Sequence, residues 1–299
     1  MKSRFAGGAR ARRDLSGNAP QTKMKLVLLA LFASTASALR VGAPVRRSAG
    51  RSAPQMSIAV FGASGGTGSE AVLQALERGE SVTALVRDAL KLKAPRSAGG
   101  ISEGALFGDK VAVTQGSVTN KADVDKVFAG QGVTGVVVAL GGKTSDVGAT
   151  MLQDGTANII AACKENGVKR ISVVTTIGAG DSMDQAPFAF KLLMMTVMSS
   201  IMADKNKQEQ LFLNGPGGDL EYCIVRPGGL NKDPPNGIVN VIDGQAGSIA
   251  RADVAAFCLD AVLEPDFKFI KQTPCISSDK GAGFDSVLAD KTKSRMGKQ

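Results

Sequence analysis

The chain has no histidine, no tryptophan and a single tyrosine among its 299 residues. Without histidine it lacks the commonest general acid or base and the commonest zinc ligand. The four cysteines, Cys163, Cys223, Cys258 and Cys275, stand far apart and form no Cys-x-x-Cys pair. No metal site of the zinc type is expected, and the cysteines read as buried reduced thiols. Aromatic residues make up only 4% of the chain. The core must then be built from Val, Ile, Leu, Ala and Met, which suits a parallel sheet covered by helices. Neither apolar run, 26–33 nor 188–202, reaches the ~20 residues that cross a bilayer.

Acidic residues are nearly missing from the first 55 positions, which hold 11 Lys/Arg against Asp14 alone. The remainder holds 25 Lys/Arg against 26 Asp/Glu. The net charge of +9 therefore belongs to the N-terminal extension. The folded part has no electrostatic case for binding nucleic acid.

What is present begins at Ile58-Ala59-Val60-Phe61, an apolar run that reads as a buried strand. It is followed by Gly62-Ala63-Ser64-Gly65-Gly66-Thr67-Gly68, with glycines in the spacing G-x-x-G-x-x-G, and then by helical spacing over 69–78. In such a unit Gly62 permits the tight turn and Gly65 lets backbone approach a pyrophosphate. Gly68 lets helix and strand pack closely, and the helix N-terminus offers N–H groups to phosphate. The second strand, Ser81–Arg87, ends in Arg87-Asp88. An arginine there suits a 2′-phosphate, so NADPH is favoured over NADH, while Asp88 keeps the NADH alternative open.

Further along, 94–110 reads as an inserted loop and 111–118 as a third strand with its exit at Ser117 and Val118. A helix follows over 122–129. Gly135–Gly142 reads as a buried fourth strand whose end, Ala139-Leu140-Gly141, suits backbone beside a cofactor. A helix over 150–166 leads to a fifth strand ending at Thr175-Thr176. One long helical stretch is expected over 187–212, and a sixth strand over 221–226 running into Pro227-Gly228-Gly229. A hairpin is expected over 237–249, a last helix over 252–263 and a seventh strand over 269–276. Repeated strand–helix alternation predicts one doubly wound, mostly parallel sheet with helices on both faces. Residues 56–279 would form this domain, with a polar tail over 280–299. The glycine turn, Arg87, Ala139–Gly142, Thr175–Gly178 and Pro227–Gly229 all fall at the C-terminal strand ends, where such a sheet binds its ligand.

From Met56 to about Ser278 the chain resembles an atypical short-chain dehydrogenase/reductase of the NAD(P)H-binding group. The motifs that carry this are the glycine turn, Leu85-Val86-Arg87-Asp88, Thr175-Thr176-Ile177-Gly178 and Ile224-Val225-Arg226-Pro227-Gly228-Gly229-Leu230. It is similar to the biliverdin/flavin reductases over the first two-thirds and to plastid-targeted Rossmann proteins. The resemblance implies an NAD(P)H cofactor, a hydroxyl role for Thr176 and a ribose-binding or catalytic role for Lys205. A solvated helix lysine is the other reading of Lys205. The family's Tyr-x-x-x-Lys places Ile201 where the tyrosine belongs, so classical alcohol oxidation is not expected. Tyr222 is expected to pack in the sixth strand. Ser117 replaces the acid that often contacts adenine in relatives.

The leader pairs a signal-like segment with an Arg-rich, acid-poor one. Lys25 precedes the apolar run 26–33 and the small residues 34–38, and 39–55 follow. This resembles the bipartite leader of proteins sent to complex plastids, so residues 1–55 are expected to be a removable address, with simple secretion as the alternative. Phe188–Met202 carries one charge in 15 residues and four of the ten methionines. It is expected either to be core or to wall an apolar substrate pocket and touch plastid lipid, with Met194, Met195 and Met198 as contacts. The leading expectation is an NADPH-dependent plastid reductase. It would hold the nicotinamide between Thr176 and Pro227–Gly229 and reduce a quinone-, isoprenoid- or pigment-like acceptor that takes its proton from water. The alternatives are a non-catalytic NADPH-binding sensor or assembly factor and, more weakly, a sugar-nucleotide epimerase.

Overall fold

The computed structural model describes residues 56–278, apart from 96, 98–103 and 143–147. The expected leader and polar tail lie outside the described residues, as does much of the loop at 94–110. Ten strands are described: β1 Ser57–Phe61, β2 Ser81–Val86, β3 Val111–Gln115, β4 Val133–Val138, β5 Arg170–Val174, β6 Glu221–Pro227, β7 Gly229–Asn231, β8 Asn240–Val241, β9 Ser248–Ala250 and β10 Cys275–Ser277. The described helices are α1 Gly66–Glu77, α2 Lys121–Phe128, α3 Met151–Glu165, α4 Phe188–Met195, α5 Ser199–Leu213 and α6 Arg251–Leu263. Eight strands form one sheet in the order β3-β2-β1-β4-β5-β6-β10-β8, parallel except for the β10–β8 pair. The expected doubly wound α/β sheet is what the structure shows.

The alternation along β1 explains the two-sided cover. Ile58 and Val60 enter a core with α1 and α6, and Ala59 and Phe61 enter a second core with α2, α3 and α5. Strand order reverses between β1 and β4, so the connections leaving their C-terminal ends run to opposite faces of the sheet and leave a crevice there. The glycine turn fills the top of β1. Gly62 has φ +84°, and a Cβ on it would lie 2.3 Å from the Ala139 carbonyl oxygen. A Cβ on Gly68 would lie 2.1 Å from the Gly62 carbonyl oxygen, so helix α1 can sit this close only with hydrogen at that position.

Three expectations are corrected. The stretch 187–212 is two helices, α4 and α5, broken at Thr196 (φ −109°, ψ −85°). Its N–H and its hydroxyl both donate to the Leu192 carbonyl, at 3.2 and 2.8 Å, and the backbone leaves the helix there. Residues 237–249 do not form a hairpin. β8 pairs with β10 and β9 with β7, because Asp253 accepts from the Asn236 and Gly237 N–H groups and draws that segment onto α6. The last strand is only Cys275–Ser277, with a single bridge from Gln272 to Cys223 before it.

The glycine turn is open to a direct test by equilibrium denaturation. Gly79 has φ +83° with nothing near a built Cβ, so Gly79→Ala isolates backbone strain, about 1 kcal/mol. Gly62→Ala adds a backbone collision and is expected to exceed that loss by at least about 2 kcal/mol. Equal losses would show that the turn tolerates the extra atom.

Candidate functional site

One cleft of ≈ 900 Å³ opens at the sheet's C-terminal edge. Its floor begins at Gly62, Ser64, Gly65, Gly66 and Thr67, passes Arg87, Ser117, Val118, Ala139, Leu140 and Gly141, and continues to Thr175, Thr176, Lys205, Gly228 and Gly229. The structure thus brings together sixteen of the residues singled out by sequence. Ala63, Gly68 and Pro227 do not line it. Ala63 is buried in the α1-side core, Gly68 is sandwiched against Gly62, and Pro227 ends β6, where its carbonyl accepts from the Ile177 N–H at 3.0 Å.

Among the described residues four charged side chains line the cleft, Arg87, Lys91, Lys205 and Arg251, and all are cationic. Helix α1 adds to this field. It starts at Gly66 behind Gly65, with no side chain capping it, so its positive end faces the cleft. Arg251, the first residue of α6, was missed by sequence reading. Its side chain lies over Gly66, where a built Cβ would meet its Cδ at 2.6 Å, and its Nη1 donates to the Asn231 carbonyl at 2.9 Å. Helices α1 and α6 lie side by side, with Gln74 Nε2 donating to the Ala252 carbonyl at 2.8 Å. That contact brings a residue about 185 positions away to the glycine turn, which local sequence could not indicate. Asp88 is spent elsewhere: its carboxylate accepts from the Leu90 N–H at 3.0 Å and caps the short turn Ala89–Lys91. Arg87 is exposed at the rim with no acidic partner among the described residues. Ser117 is held by its N–H donating to Asp123 Oδ2 at 3.1 Å, and Val118 by its carbonyl accepting from Asn158 Nδ2 at 2.9 Å.

The far end of the cleft is set by α5. Glu209, fully buried, accepts from the Thr175 hydroxyl at 2.7 Å and from Arg226 Nε at 3.1 Å and Nη2 at 2.6 Å. Arg226 Nη1 reaches Asp181 at 2.5 Å. Burial works to lower the Arg226 pKa, and the hydrogen bonds and charges of Glu209 and Asp181 outweigh it, so the pKa is raised and the guanidinium stays charged. One turn earlier, Asp204 accepts from the Leu152 and Gln153 N–H groups at 2.8 and 3.0 Å, capping α3. Lys205 is buried rather than solvated, and its Nζ donates to the Thr175 carbonyl at 3.2 Å. Burial lowers its pKa from 10.5 to about 8 against the opposing charges of Glu209 and Asp204. Tyr222 packs against Phe212, the rings tilted with centroids 5.4 Å apart, in the α2, α3 and α5 core and does not line the cleft.

The methionine-rich stretch divides among three environments. Phe190 and Met198 wall the cleft beside Met151. Met194 is core, 1% exposed, and lies under Gly178, so its expected role as a lipid or substrate contact is corrected. Phe188, Leu192, Met195 and Val197 face outward at 81%, 58%, 70% and 79% exposure.

The Lys205 shift has a stability signature. The folded pKa, about 8, lies below the unfolded 10.5. The unfolded chain therefore binds more protons between these values, and stability attributable to Lys205 rises with pH across that window. Lys205→Met is expected to be more stable than the parent at pH 7, with the gap closing between pH 8 and 10.5 in urea titrations. A gap independent of pH would show that the ammonium is not desolvated.

The sequence pattern of the NAD(P)H-binding family matches residues 62–265. A chloroplastic protein of Arabidopsis thaliana is 31% identical over 224 residues, 70% of this chain and 73% of its own length. Among solved structures, the Escherichia coli O157:H7 anaerobilin reductase ChuY superposes with a TM-score of 0.58 at 22% identity, covering 75% of this chain and 98% of its own. The Lactococcus lactis oxidoreductase ylbE gives 0.59 at 18% identity, covering 81% and 97%. The fold, the cationic cleft over an uncapped helix end and these matches agree, and the chain belongs to the NAD(P)H-binding family of atypical short-chain dehydrogenase/reductase-like proteins.

Proposed function

We propose that the protein is an NADPH-dependent reductase of an apolar, conjugated acceptor, acting in a plastid. The observation that carries the reading is the continuity of the cleft. An all-cationic end over the glycine turn passes without interruption into an end walled by Phe190, Met198 and Met151. The first end suits a dinucleotide phosphate and the second an apolar acceptor. Preference for NADPH is supported by Arg87 standing free at the end of β2 while Asp88 is committed to its turn. In this reading Gly62–Gly68 and Arg251 hold the pyrophosphate, Arg87 and Lys91 the 2′-phosphate, and Ser117 and Val118 border the adenine. Ala139–Gly141, Thr175, Thr176 and Gly228–Gly229 border the nicotinamide. When bound, the cofactor supplies a hydride. The chloroplastic relative and the leader's composition support the plastid assignment.

The cofactor assignment predicts tighter binding of NADPH than of NADH by fluorescence titration, with Arg87→Ala removing most of the difference. Equal affinities in the parent protein would sink it. Oxidation of NADPH accelerated by quinones or enones separates the reductase from a non-catalytic sensor, which binds without turnover.

The outward residues of α4 and of the link that follows it adjoin the cleft wall, which supports entry of the acceptor from a lipid surface. Replacing Phe188, Leu192, Met195 and Val197 with Ser is expected to abolish co-flotation with galactolipid vesicles while leaving NADPH affinity unchanged. A parent protein that never floats with such vesicles overturns the lipid contact.

A further inference from the structure

We propose that Lys205 is the proton donor of the reduction, standing in directly for the phenol that Ile201 cannot provide. The inference rests on the reductase reading above. Its basis is an imbalance of partners around one buried cation. Lys205 is only 9% exposed and lines the cleft beside Thr175 and Thr176. Its one hydrogen bond among the described residues goes to a neutral carbonyl, Thr175 O, at 3.2 Å. An ammonium has three N–H bonds, so two remain to be used.

The carboxylates that would neutralise it are both engaged. On its own helix, Asp204 is turned to the N-terminus of α3, and Glu209 is held by Arg226 and the Thr175 hydroxyl. From β6 and the loop after β5, Arg226 and Asp181 face each other. The cleft's other charged groups among the described residues, Arg87, Lys91 and Arg251, are cations. Lys205 forms no ion pair among the described residues. A merely structural lysine at nine-tenths burial would be expected to hold a carboxylate. Among the described residues, Asp204 and Glu209 act on the nitrogen only through space, neither bonding it directly, and its free N–H bonds are left next to the cleft.

The chemistry balances on named groups. As hydride adds to carbon of a conjugated carbonyl acceptor, negative charge grows on the acceptor oxygen. The Lys205 Nζ–H bond breaks, the proton passes to that oxygen, and the electron pair remains on nitrogen as a neutral amine. Water then returns a proton to Nζ. The acceptor gains two electrons and two hydrogens, and NADPH is oxidised to NADP⁺. The desolvation that lowers the Lys205 pKa to about 8 makes the ammonium a better acid than an exposed lysine near neutral pH.

The test uses the full chain with Lys205→Met and Lys205→Arg. Rapid-mixing absorbance follows single-turnover oxidation of prebound NADPH by a short-chain benzoquinone and by an enone, from pH 6 to 10. Fluorescence titration measures NADPH affinity at each pH. Separately, lysines are reductively methylated with ¹³C and titrated by NMR, and the resonance missing in Lys205→Met is assigned to Lys205. The expected result is a parent rate that falls above pH about 8 with the Lys205 resonance titrating in the same range. Both variants should lose ~10²-fold in that rate, together with the pH break, and change NADPH affinity less than about threefold. Arginine is the decisive substitution, since it keeps the charge and the donors but cannot release a proton near neutral pH. A Lys205→Arg variant with the parent rate, or a pH break that survives in Lys205→Met, overturns the role. So does loss confined to NADPH affinity, which would leave Lys205 as an anchor for the ribose. Parent protein that oxidises no NADPH with any acceptor overturns the reductase reading itself, whereas oxidation that Lys205→Arg retains overturns only this step.

Discussion

The buried pair Arg226–Glu209 is the contact on which the substrate end of the cleft depends. Both side chains are sealed from solvent, at 3% and 0% exposure. Such a pair adds little net stability over an apolar replacement, yet losing one partner alone costs roughly 3–5 kcal/mol because the other is left charged and buried. Its value here is positional. Glu209 belongs to α5, Arg226 to β6, and Thr175, whose hydroxyl Glu209 accepts, to the end of β5. Three elements are thus fixed in one register. The loop after β5 closes over the pair so tightly that a Cβ on Gly180 would lie 2.3 Å from Arg226 Nη2.

Fixing α5 fixes everything it presents. Asp204 meets the N-terminus of α3 and Lys205 meets the Thr175 carbonyl, while Met198 at the head of the helix turns to the cleft. In the Arg-Pro-Gly-Gly run the sequence reads Arg226 as the end of a strand and Pro227–Gly229 as loop backbone near a nicotinamide. In the structure its arginine is the anchor, and Pro227 closes the strand by accepting from Ile177. Only Gly228 and Gly229 reach the cleft. Their closeness to neighbouring backbone is plain at Gly228, where a Cβ would sit 2.2 Å from the Gly247 carbonyl oxygen.

The cofactor end was largely legible because its signals are local. A strand, a glycine turn and a helix lie in one continuous stretch, and Arg87 follows at the end of the next strand. Sheet order and the convergence of loops then follow from the alternation of elements. What was not legible depends on tertiary neighbours. Arg251 reaches the glycine turn only because α6 lies against α1. Lys205 looks like one of several helix lysines until burial is known. The break at Thr196 falls in a stretch whose apolar composition reads as continuous helix. Because of that break, Met194 turns to the core and Met198 to the cleft, which a single straight helix would not have suggested.

The two ends of the cleft solve opposite electrostatic problems with the same shortage of acid. At the glycine turn, cations stand beside a positive helix end with no carboxylate lining the cavity among the described residues, an arrangement that is unfavourable until an anion arrives. At the α5 end, carboxylates are present but each is hydrogen-bonded to backbone or to arginine, so Asp204 and Glu209 act on Lys205 only through space and form no ion pair with it among the described residues. Of these cations only Lys91 has an ion pair among the described residues, to Asp88 at 3.9 Å, and a fold selected for stability alone would pair the others too, since like charges around one cavity repel. Their retention makes chemical sense if the charge they await comes from outside the chain: the phosphates at one end, and at the other the negative charge that develops on an acceptor as it is reduced. The histidine-free, tyrosine-poor composition then ceases to be an obstacle to catalysis. The acid chemistry that those residues would supply is transferred to a lysine whose surroundings, rather than its identity, bring it into range.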